Sequence, residues 1–146
     1  MALEKLSGSP GCFVCDNNNS NVRSLKLPIM WDAESETVRI PFSPDASWCG
    51  YNEVVHGGLL ASVLDEGMAW VIKHKMGRWA FTVDFQLRYK KPVAPGRKYE
   101  VVASADDVSG RKIQARAEIQ DESGLPMAVA TAVFLPAAGL AVPRSS

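Results

Sequence analysis

The sequence predicts an α+β fold in which an antiparallel sheet wraps around one long, mostly apolar helix. Residues 57–75 form the only long helix-like stretch, and the basic side chains near its end, followed by Gly77, are typical of a helix C-terminus. The later segments are rich in Val, Ile, Ala, Phe and Thr and are separated by turn dipeptides, which indicates hairpin-linked strands at 80–89, 98–105, 112–120 and 127–135. One helix followed by such strands is the pattern of an α+β protein with an antiparallel sheet.

The elements before the helix are shorter. Residues 1–22 are polar and rich in Gly, Asn and Ser, which predicts a loop or a short helix. Residues 24–30 and 37–42 show the alternation of β-strands, and Ser43-Pro44-Asp45 provides a turn after the second. At the other end of the chain, the small and polar residues 137–146 predict a flexible tail.

The composition limits the partners that we expect. A length of 146 residues suits a single domain spanning 1–146, and no internal repeat is visible. The 16 basic and 16 acidic residues balance, which argues against binding to nucleic acid or an anionic membrane. The longest apolar run is well short of the ~20 residues that a membrane span needs, and the N-terminus lacks the apolar core of a secretory signal. Because three cysteines are an odd number, we expect a reducing cytoplasm rather than a disulfide framework.

The strongest candidate for a functional site is His56-Gly57-Gly58, followed at a fixed distance by Asp65-Glu66. Two glycines at a helix N-terminus let a substrate atom approach the unpaired backbone N–H groups there. Those amides and the positive end of the helix dipole form a site for an oxyanion. Two carboxylates in the middle of an apolar helix are costly to bury, which indicates a function for them. Together these features point to acyl chemistry at a carbonyl.

The spacing of the two groups also predicts how they act. Asp65 lies eight residues after Gly57, which is roughly 12 Å along a helix that rises ~1.5 Å per residue. One carbonyl cannot contact both groups of a single helix. Two antiparallel helices related by a two-fold axis can bring Gly57 of one subunit opposite Asp65 of the other, so we predict a site at a dimer interface and an inactive monomer.

The helical period separates the two carboxylates. Asp65 shares its face with Met68 and Ile72, which predicts a dry, unpaired setting that raises its pKa and its basicity toward water. Glu66 lies on the side of Lys73, whose charge two turns on can balance it. Asp65 is therefore the predicted catalytic carboxylate, and Glu66 is predicted to support the site or to have a structural role.

Three stretches in the right order resemble the hotdog-fold acyl-CoA thioesterases, most closely the phenylacetate-pathway and thioesterase-superfamily-member type. They are Tyr51-Asn52-Glu53-Val54-Val55-His56-Gly57-Gly58 with Asp65 nine residues after the histidine, Cys12-Phe13-Val14-Cys15, and Thr82-Val83-Asp84-Phe85-Gln86-Leu87-Arg88-Tyr89-Lys90-Lys91-Pro92. The resemblance implies a hotdog fold and hydrolysis of an acyl-CoA to a free acid and CoA without a metal or redox cofactor. It also implies a homodimer or a dimer of dimers.

The resemblance further implies roles for five residues. Asp65 is the base or nucleophile, and the Gly57 amide holds the oxyanion, with Gly58 as a second donor. Thr82 orients the water or the carboxylate, and His56 fixes the loop or bonds near the carbonyl.

Substrate binding is assigned to a wider set of residues. Many relatives carry Asn or Gln six residues before the histidine, where this chain has Gly50, and Asn52 is the candidate to supply that carboxamide from a shifted position. Basic side chains ahead of Pro92 are candidates to meet the CoA phosphates. The substrate-binding candidates are Gly58, Asn52, Glu66, Arg88 and Lys90.

Two other functions stay open at this point. One is a hotdog-fold hydratase or dehydratase, although those relatives usually pair a catalytic histidine with an acid at a different spacing, and this chain has only His56 and His74. The other is a non-catalytic acyl-CoA-binding protein, against which an intact Gly57 and Asp65 argue.

Cys12 and Cys15 have the spacing of half a zinc site. No second Cys/His pair follows them, so the sequence favours plain thiols and no metal.

Overall fold

A seven-stranded antiparallel sheet packs against one long helix in the computed structural model, which describes residues 3–137. The helix, α1, spans Gly57–Met76. The strands are β1 (Leu3–Leu6), β2 (Ile29–Asp32), β3 (Thr37–Phe42), β4 (Cys49–Tyr51), β5 (Val54–Val55), β6 (Ala80–Tyr89), β7 (Tyr99–Ala105), β8 (Ile113–Asp121) and β9 (Pro126–Pro136). The sheet order is β1-β2-β3-β7-β8-β9-β6, and β4 and β5 form a separate small hairpin. The predicted α+β hotdog fold is confirmed.

Both ends of α1 are capped by the residues that the sequence places there. At the start, the His56 side chain accepts a hydrogen bond from the Gly58 N–H. At the end, Gly77 has φ = 82°, and its N–H donates to the Lys73 carbonyl at 2.8 Å. A glycine adopts this left-handed conformation without steric cost, which is why the helix stops here. The predicted helix and its C-terminal glycine are confirmed.

The middle of α1 lies directly on strand β7. A Cβ added to Gly67 would sit 2.9 Å from Val101 Cγ1 and 3.1 Å from Ala103 Cβ, so only a glycine permits this approach. On either side of this contact the helix buries its apolar side chains, among them Leu60, Val63, Leu64, Met68, Val71 and Ile72. The packing fixes the rotation of the helix and therefore the directions of Asp65 and Glu66.

The N-terminal region differs from the prediction. Within residues 1–22, where a loop or a short helix is predicted, β1 is a strand that pairs antiparallel with β2. Its Leu6 side chain is buried, whereas residues 3–5 are exposed. The strand predicted at 24–30 begins only at Ile29. Before it, Lys26 has a left-handed backbone conformation (φ = 55°), so a strand cannot run through the first part of the predicted segment.

The remaining strands agree with the sequence more closely. The strands at 37–42 and 80–89 have the predicted bounds, and β7, β8 and β9 differ from theirs by one residue at one or both ends. The β4–β5 hairpin is an element that the sequence does not predict. The predicted tail lies outside the described residues except for Ala137. No helix within residues 3–137 has both the length and the apolar character required to cross a bilayer.

Candidate functional site

The N-terminus of α1 is held in place by three backbone and side-chain hydrogen bonds. The Val55 N–H donates to the Val93 carbonyl, and the His56 N–H donates to the Trp48 carbonyl, each at 2.8 Å. The His56 Nδ1 atom then accepts the Gly58 N–H at 2.8 Å. His56 therefore caps the helix, which is the loop-fixing alternative among its predicted roles.

The cap changes the expected donors of the oxyanion site. Gly58 is predicted to assist Gly57, but its N–H is already paired with His56. The Gly57 N–H has no partner within residues 3–137. Only the Gly57 amide is therefore free to donate to a substrate oxygen.

A cleft of about 630 Å³ opens in front of this helix N-terminus. The Tyr89 hydroxyl lies in its wall and donates to the Gly57 carbonyl oxygen at 2.8 Å. A Cβ on Gly57 would lie 3.0 Å from that hydroxyl oxygen, so the glycine makes room for the tyrosine. Tyr89 is not among the predicted site residues, because only the register of β6 brings it to the helix. Its position just before Lys90 in the motif is the one signal that the sequence offers.

The cleft includes some of the predicted binding residues and leaves out others. Lys90 and Lys91 line it beside His56, Gly57 and Gly58. Asn52 and Arg88 do not belong to this lining. Asn52 is exposed in the turn between β4 and β5, and Arg88 lines a separate depression along β6 and β9.

Gly50 is the residue six positions before His56, where the resemblance leads us to expect an amide side chain. Its Cα packs against the imidazole, because a Cβ there would lie 3.1 Å from His56 Cδ2. A larger residue at this position requires His56 to shift by a few tenths of an ångström, so the glycine allows the close approach of the capping histidine.

Asp65 lies in the middle of α1 and faces strand β6. Its Oδ1 atom accepts a hydrogen bond from the Thr82 Oγ1 at 2.5 Å. Burial raises the pKa of the Asp65 carboxyl, and the Thr82 hydroxyl acts in the opposite direction by stabilising the carboxylate. Asp65 forms no ion pair among residues 3–137, and the neutral Thr82 hydroxyl is its hydrogen-bond partner.

Glu66 faces the other side of the helix and is the more enclosed of the two carboxylates. Burial raises the pKa of its carboxyl to about 7. Trp70 Nε1 donates to Oε2 at 3.1 Å, and Cys12 Sγ approaches the same atom at 3.2 Å. The expectation that Asp65 has the drier setting is therefore wrong.

Lys73 does not balance the charge of Glu66. Its Nζ donates to the Gly77 carbonyl at 3.2 Å and lies 5.8 Å from the centre of the Trp79 ring. The expected pairing fails because two turns of helix are too long a separation for direct contact.

Strand β6 ends the sheet on this side and leaves apolar side chains exposed. Phe81, Val83 and Tyr89 are 37%, 51% and 54% exposed. The register of β6 against β9 shifts between Thr82 and Asp84. Within one chain, Asp65 is not part of the cleft at Gly57, and the two positions are about 12 Å apart along α1.

Comparison with known proteins gives one family. The sequence model described as "Thioesterase superfamily" matches residues 52–128. The protein C26H8.11c of Schizosaccharomyces pombe, described as uncharacterized, is 32% identical over 79 residues. That match covers 53% of this chain and 45% of the relative, so it spans less than half the length of the yeast protein.

Three solved structures have a similar fold. The thioesterase superfamily protein RHA08564 has a TM-score of 0.77 at 20% identity and covers 86% of this chain and 63% of its own. A hypothetical thioesterase from Streptococcus pneumoniae TIGR4 with coenzyme A has a TM-score of 0.64 at 17% identity and coverages of 68% and 80%. The E. coli PaaI protein from the phenylacetic acid degradation operon has a TM-score of 0.63 at 16% identity and coverages of 68% and 75%. At these identities the likeness shows the fold alone.

Proposed function

Because the chain belongs to the thioesterase superfamily, we propose that it hydrolyses an acyl-CoA thioester to the free acid and CoA. The observation that carries this proposal is the hydrogen bond between Thr82 Oγ1 and Asp65 Oδ1 at 2.5 Å. It holds a half-buried carboxylate in one orientation beside the exposed strand β6. A fixed carboxylate of raised pKa suits a base or a nucleophile that must act on a carbonyl.

The Gly57 amide supplies the second half of the chemistry. It is an unpaired donor at the positive end of α1 and stabilises the negative charge that develops on the thioester oxygen. In one route Asp65 removes a proton from the attacking water and passes it to the sulfur of CoA, which leaves as the thiol. In the other, Asp65 attacks the carbonyl, the CoA thiolate leaves and takes a proton from solvent, and a water then hydrolyses the mixed anhydride to the free acid and restores the carboxylate.

The two halves must come from different subunits. A separation of about 12 Å along one helix exceeds the reach of a single carbonyl. We propose a two-fold dimer, or a dimer of such dimers, in which Asp65 of the partner subunit faces Gly57. The exposed apolar side chains of β6 and its free edge support an interface on this side of the sheet.

The cleft at Gly57 is the proposed binding site of the substrate. Lys90 lines the cleft and is suited to a phosphate of CoA. The S. pneumoniae structure of the same fold was solved with coenzyme A, which supports CoA as the ligand. Asn52 and Arg88 lie outside this lining and have no part in the proposal.

We also propose a cytoplasmic location. The three cysteines are free thiols in the structure, as a reducing compartment maintains them.

The test is the release of free thiol from a panel of short-chain, long-chain and aryl acyl-CoAs. Wild type is expected to turn over part of the panel, and Asp65→Asn is expected to lose about 10²- to 10⁴-fold in kcat, since it removes the base. Asp107→Asn, in an exposed loop far along the chain, is the matched control and is expected to keep full activity.

Two results would contradict the proposal. If no acyl-CoA is hydrolysed although binding is measurable, the protein is an acyl-CoA-binding protein. If Asp65→Asn is as active as wild type, the assigned carboxylate is the wrong one.

A further inference from the structure

Cys12, Cys15 and Glu66 meet on the side of α1 that faces away from Asp65. One ligating atom of each, two sulfurs and one carboxylate oxygen, lie within 4.8 Å of one another. The cysteines belong to the N-terminal segment, and the glutamate belongs to the helix. The proposed hydrolysis uses none of these three groups.

The turn that carries the cysteines directs backbone N–H groups at both sulfurs. The N–H groups of Val14 and Cys15 donate to Cys12 Sγ at 3.3 and 3.4 Å. The Ser9 N–H donates to Cys15 Sγ at 3.2 Å. Hydrogen bonds of this kind favour thiolates, which are the form of cysteine that binds metals.

The turn is held by the segment that follows it. The Leu25 N–H donates to the Phe13 carbonyl at 2.7 Å, and the Leu27 N–H donates to the Val14 carbonyl at 2.9 Å. These contacts fix both sulfurs before any ligand arrives, which lowers the entropy that binding must overcome.

The carboxylate is fixed as well and has no cationic side chain beside it. Trp70 Nε1 holds Oε2, and Glu66 forms no ion pair with a Lys, Arg or His among residues 3–137. Two thiols and a carboxyl group thus share a partly buried space without a positive partner. A bound cation would supply the missing charge.

We propose that Cys12, Cys15 and Glu66 bind one Zn²⁺ ion per chain. Two sulfurs and one oxygen suit this borderline-soft ion, whereas Mg²⁺ and Ca²⁺ require oxygen ligands. Around a tetrahedral zinc, with bonds of about 2.0–2.3 Å, ligand atoms lie less than about 4 Å apart, which the observed cluster reaches with small side-chain shifts. Binding releases to the solvent the protons that the two thiols and the Glu66 carboxyl still carry.

The zinc site has a structural consequence. No other His, Cys, Asp or Glu of residues 3–137 joins the cluster, so water completes the coordination. The ion ties the N-terminal segment to the middle of α1, one residue from Asp65. The zinc proposal does not depend on the proposed hydrolysis. It differs from the interpretation of the sequence, which favours plain thiols at Cys12 and Cys15.

The test is a titration of the reduced, metal-free full-length chain with Co²⁺ and then Zn²⁺. We expect one equivalent of Co²⁺ to give thiolate-to-cobalt charge-transfer absorption, which Zn²⁺ then displaces. Cys12→Ser and Glu66→Gln are each expected to weaken Zn²⁺ binding by more than about 100-fold, because each removes a direct ligand. Loss of a group that only supports a ligand already lowers metal affinity by about 10- to 100-fold. Cys49→Ser removes the remaining cysteine and is expected to bind like wild type.

Folding of each variant is checked by circular dichroism, and Cys12→Ser is preferred to a change at Cys15 because Cys15 is fully buried. Wild type that binds no metal overturns the proposal, as does unchanged affinity in Cys12→Ser. A Cys12–Cys15 disulfide that forms readily in a chain unable to bind zinc also overturns it and identifies a redox pair instead.

Discussion

Asp65 and Glu66 are neighbours in the sequence, but they face two different regions of the molecule. Asp65 points to the exposed strand β6 and pairs with the Thr82 hydroxyl. Glu66 points to the N-terminal cysteine turn and pairs with Trp70. Adjacent residues of a helix are about 100° apart, so two consecutive carboxylates can serve unrelated sites.

The difference shows that burial alone does not assign a role. Burial raises the pKa of both carboxyls. What separates them is the partner: a hydroxyl next to a free sheet edge on one side, and two sulfurs on the other. We therefore propose Asp65 for the reaction and Glu66 for metal binding.

Mixing two inactive variants has the largest expected effect, because it tests whether Asp65 of one subunit and Gly57 of another form one site. Asp65→Asn removes the carboxylate, and Gly57→Val places side-chain atoms against the Tyr89 hydroxyl, which would lie only 3.0 Å from a Cβ at this position. Each variant alone is expected to be inactive. If the site is shared, each mixed dimer has one intact site out of two, so the isolated mixed dimer is expected to have about half of wild-type activity.

The measurement is thiol release after co-expression of differently tagged chains and isolation of the mixed species. Mixing Asp65→Asn with itself under a second tag is the control, and it is expected to recover nothing. No recovery in the Asp65→Asn and Gly57→Val mixture would show that each site lies within one subunit.

Thr82→Val tests the partner that distinguishes Asp65. It removes the hydroxyl and keeps the shape of the side chain, so Asp65 loses the hydrogen bond that orients it. We expect kcat to fall about tenfold with little change in KM, as for the loss of one hydrogen bond to a charged group. Thr82→Ser restores the hydroxyl and is expected to recover most of kcat. Equal kcat in Thr82→Val and wild type would mean that the contact is only structural.

The sequence predicts much of the side of the helix that carries Asp65. The glycines, the capping signals and the apolar pattern give the bounds of α1 almost to the residue. The resemblance places Thr82 in the site with the carboxylate among its possible targets, and the structure brings these two groups together although 17 positions separate them. Local patterns and a family motif are sufficient on this side, because the signals for α1 and the motif that contains Thr82 each lie in a continuous segment of the sequence.

The other side of the helix could not be predicted in this way. Cys12 and Glu66 are 54 positions apart, and neither periodicity nor spacing reports that they meet. A search for zinc ligands among Cys and His alone also passes over a carboxylate. The strand β1 and the β4–β5 hairpin are too short for a clear alternation, so they depend on pairing that only the folded chain shows.

Asp32 at the end of β2 is a third buried or partly buried carboxylate, and it differs from Asp65 and Glu66 because its pKa is lowered rather than raised. A hydrogen bond from the Ser35 hydroxyl is the main cause that holds its pKa below the ordinary value of 3.8, and it outweighs burial. The Glu34 N–H and the Arg39 guanidinium also lower the pKa of Asp32. Arg39 pairs with Glu100 as well. The larger of the two effects thus sets the direction of the pKa shift, which is burial at Asp65 and Glu66 and hydrogen bonding at Asp32.

A lowered pKa means that the folded state favours the ionised form. The stability that Asp32 contributes is fully present above pH 3.8, and it is lost as the pH falls through the lower pKa of the folded state. We expect Asp32→Asn to be less stable than wild type at pH 7, with a difference in unfolding free energy that shrinks below pH 3.8. Urea unfolding at a series of pH values measures this difference, and Asp84→Asn, on the exposed strand β6, is the control that should follow wild type throughout. A difference that stays constant from pH 7 into the acid range would mean that the asparagine acts through packing and that the hydrogen bonds do not lower the pKa of Asp32.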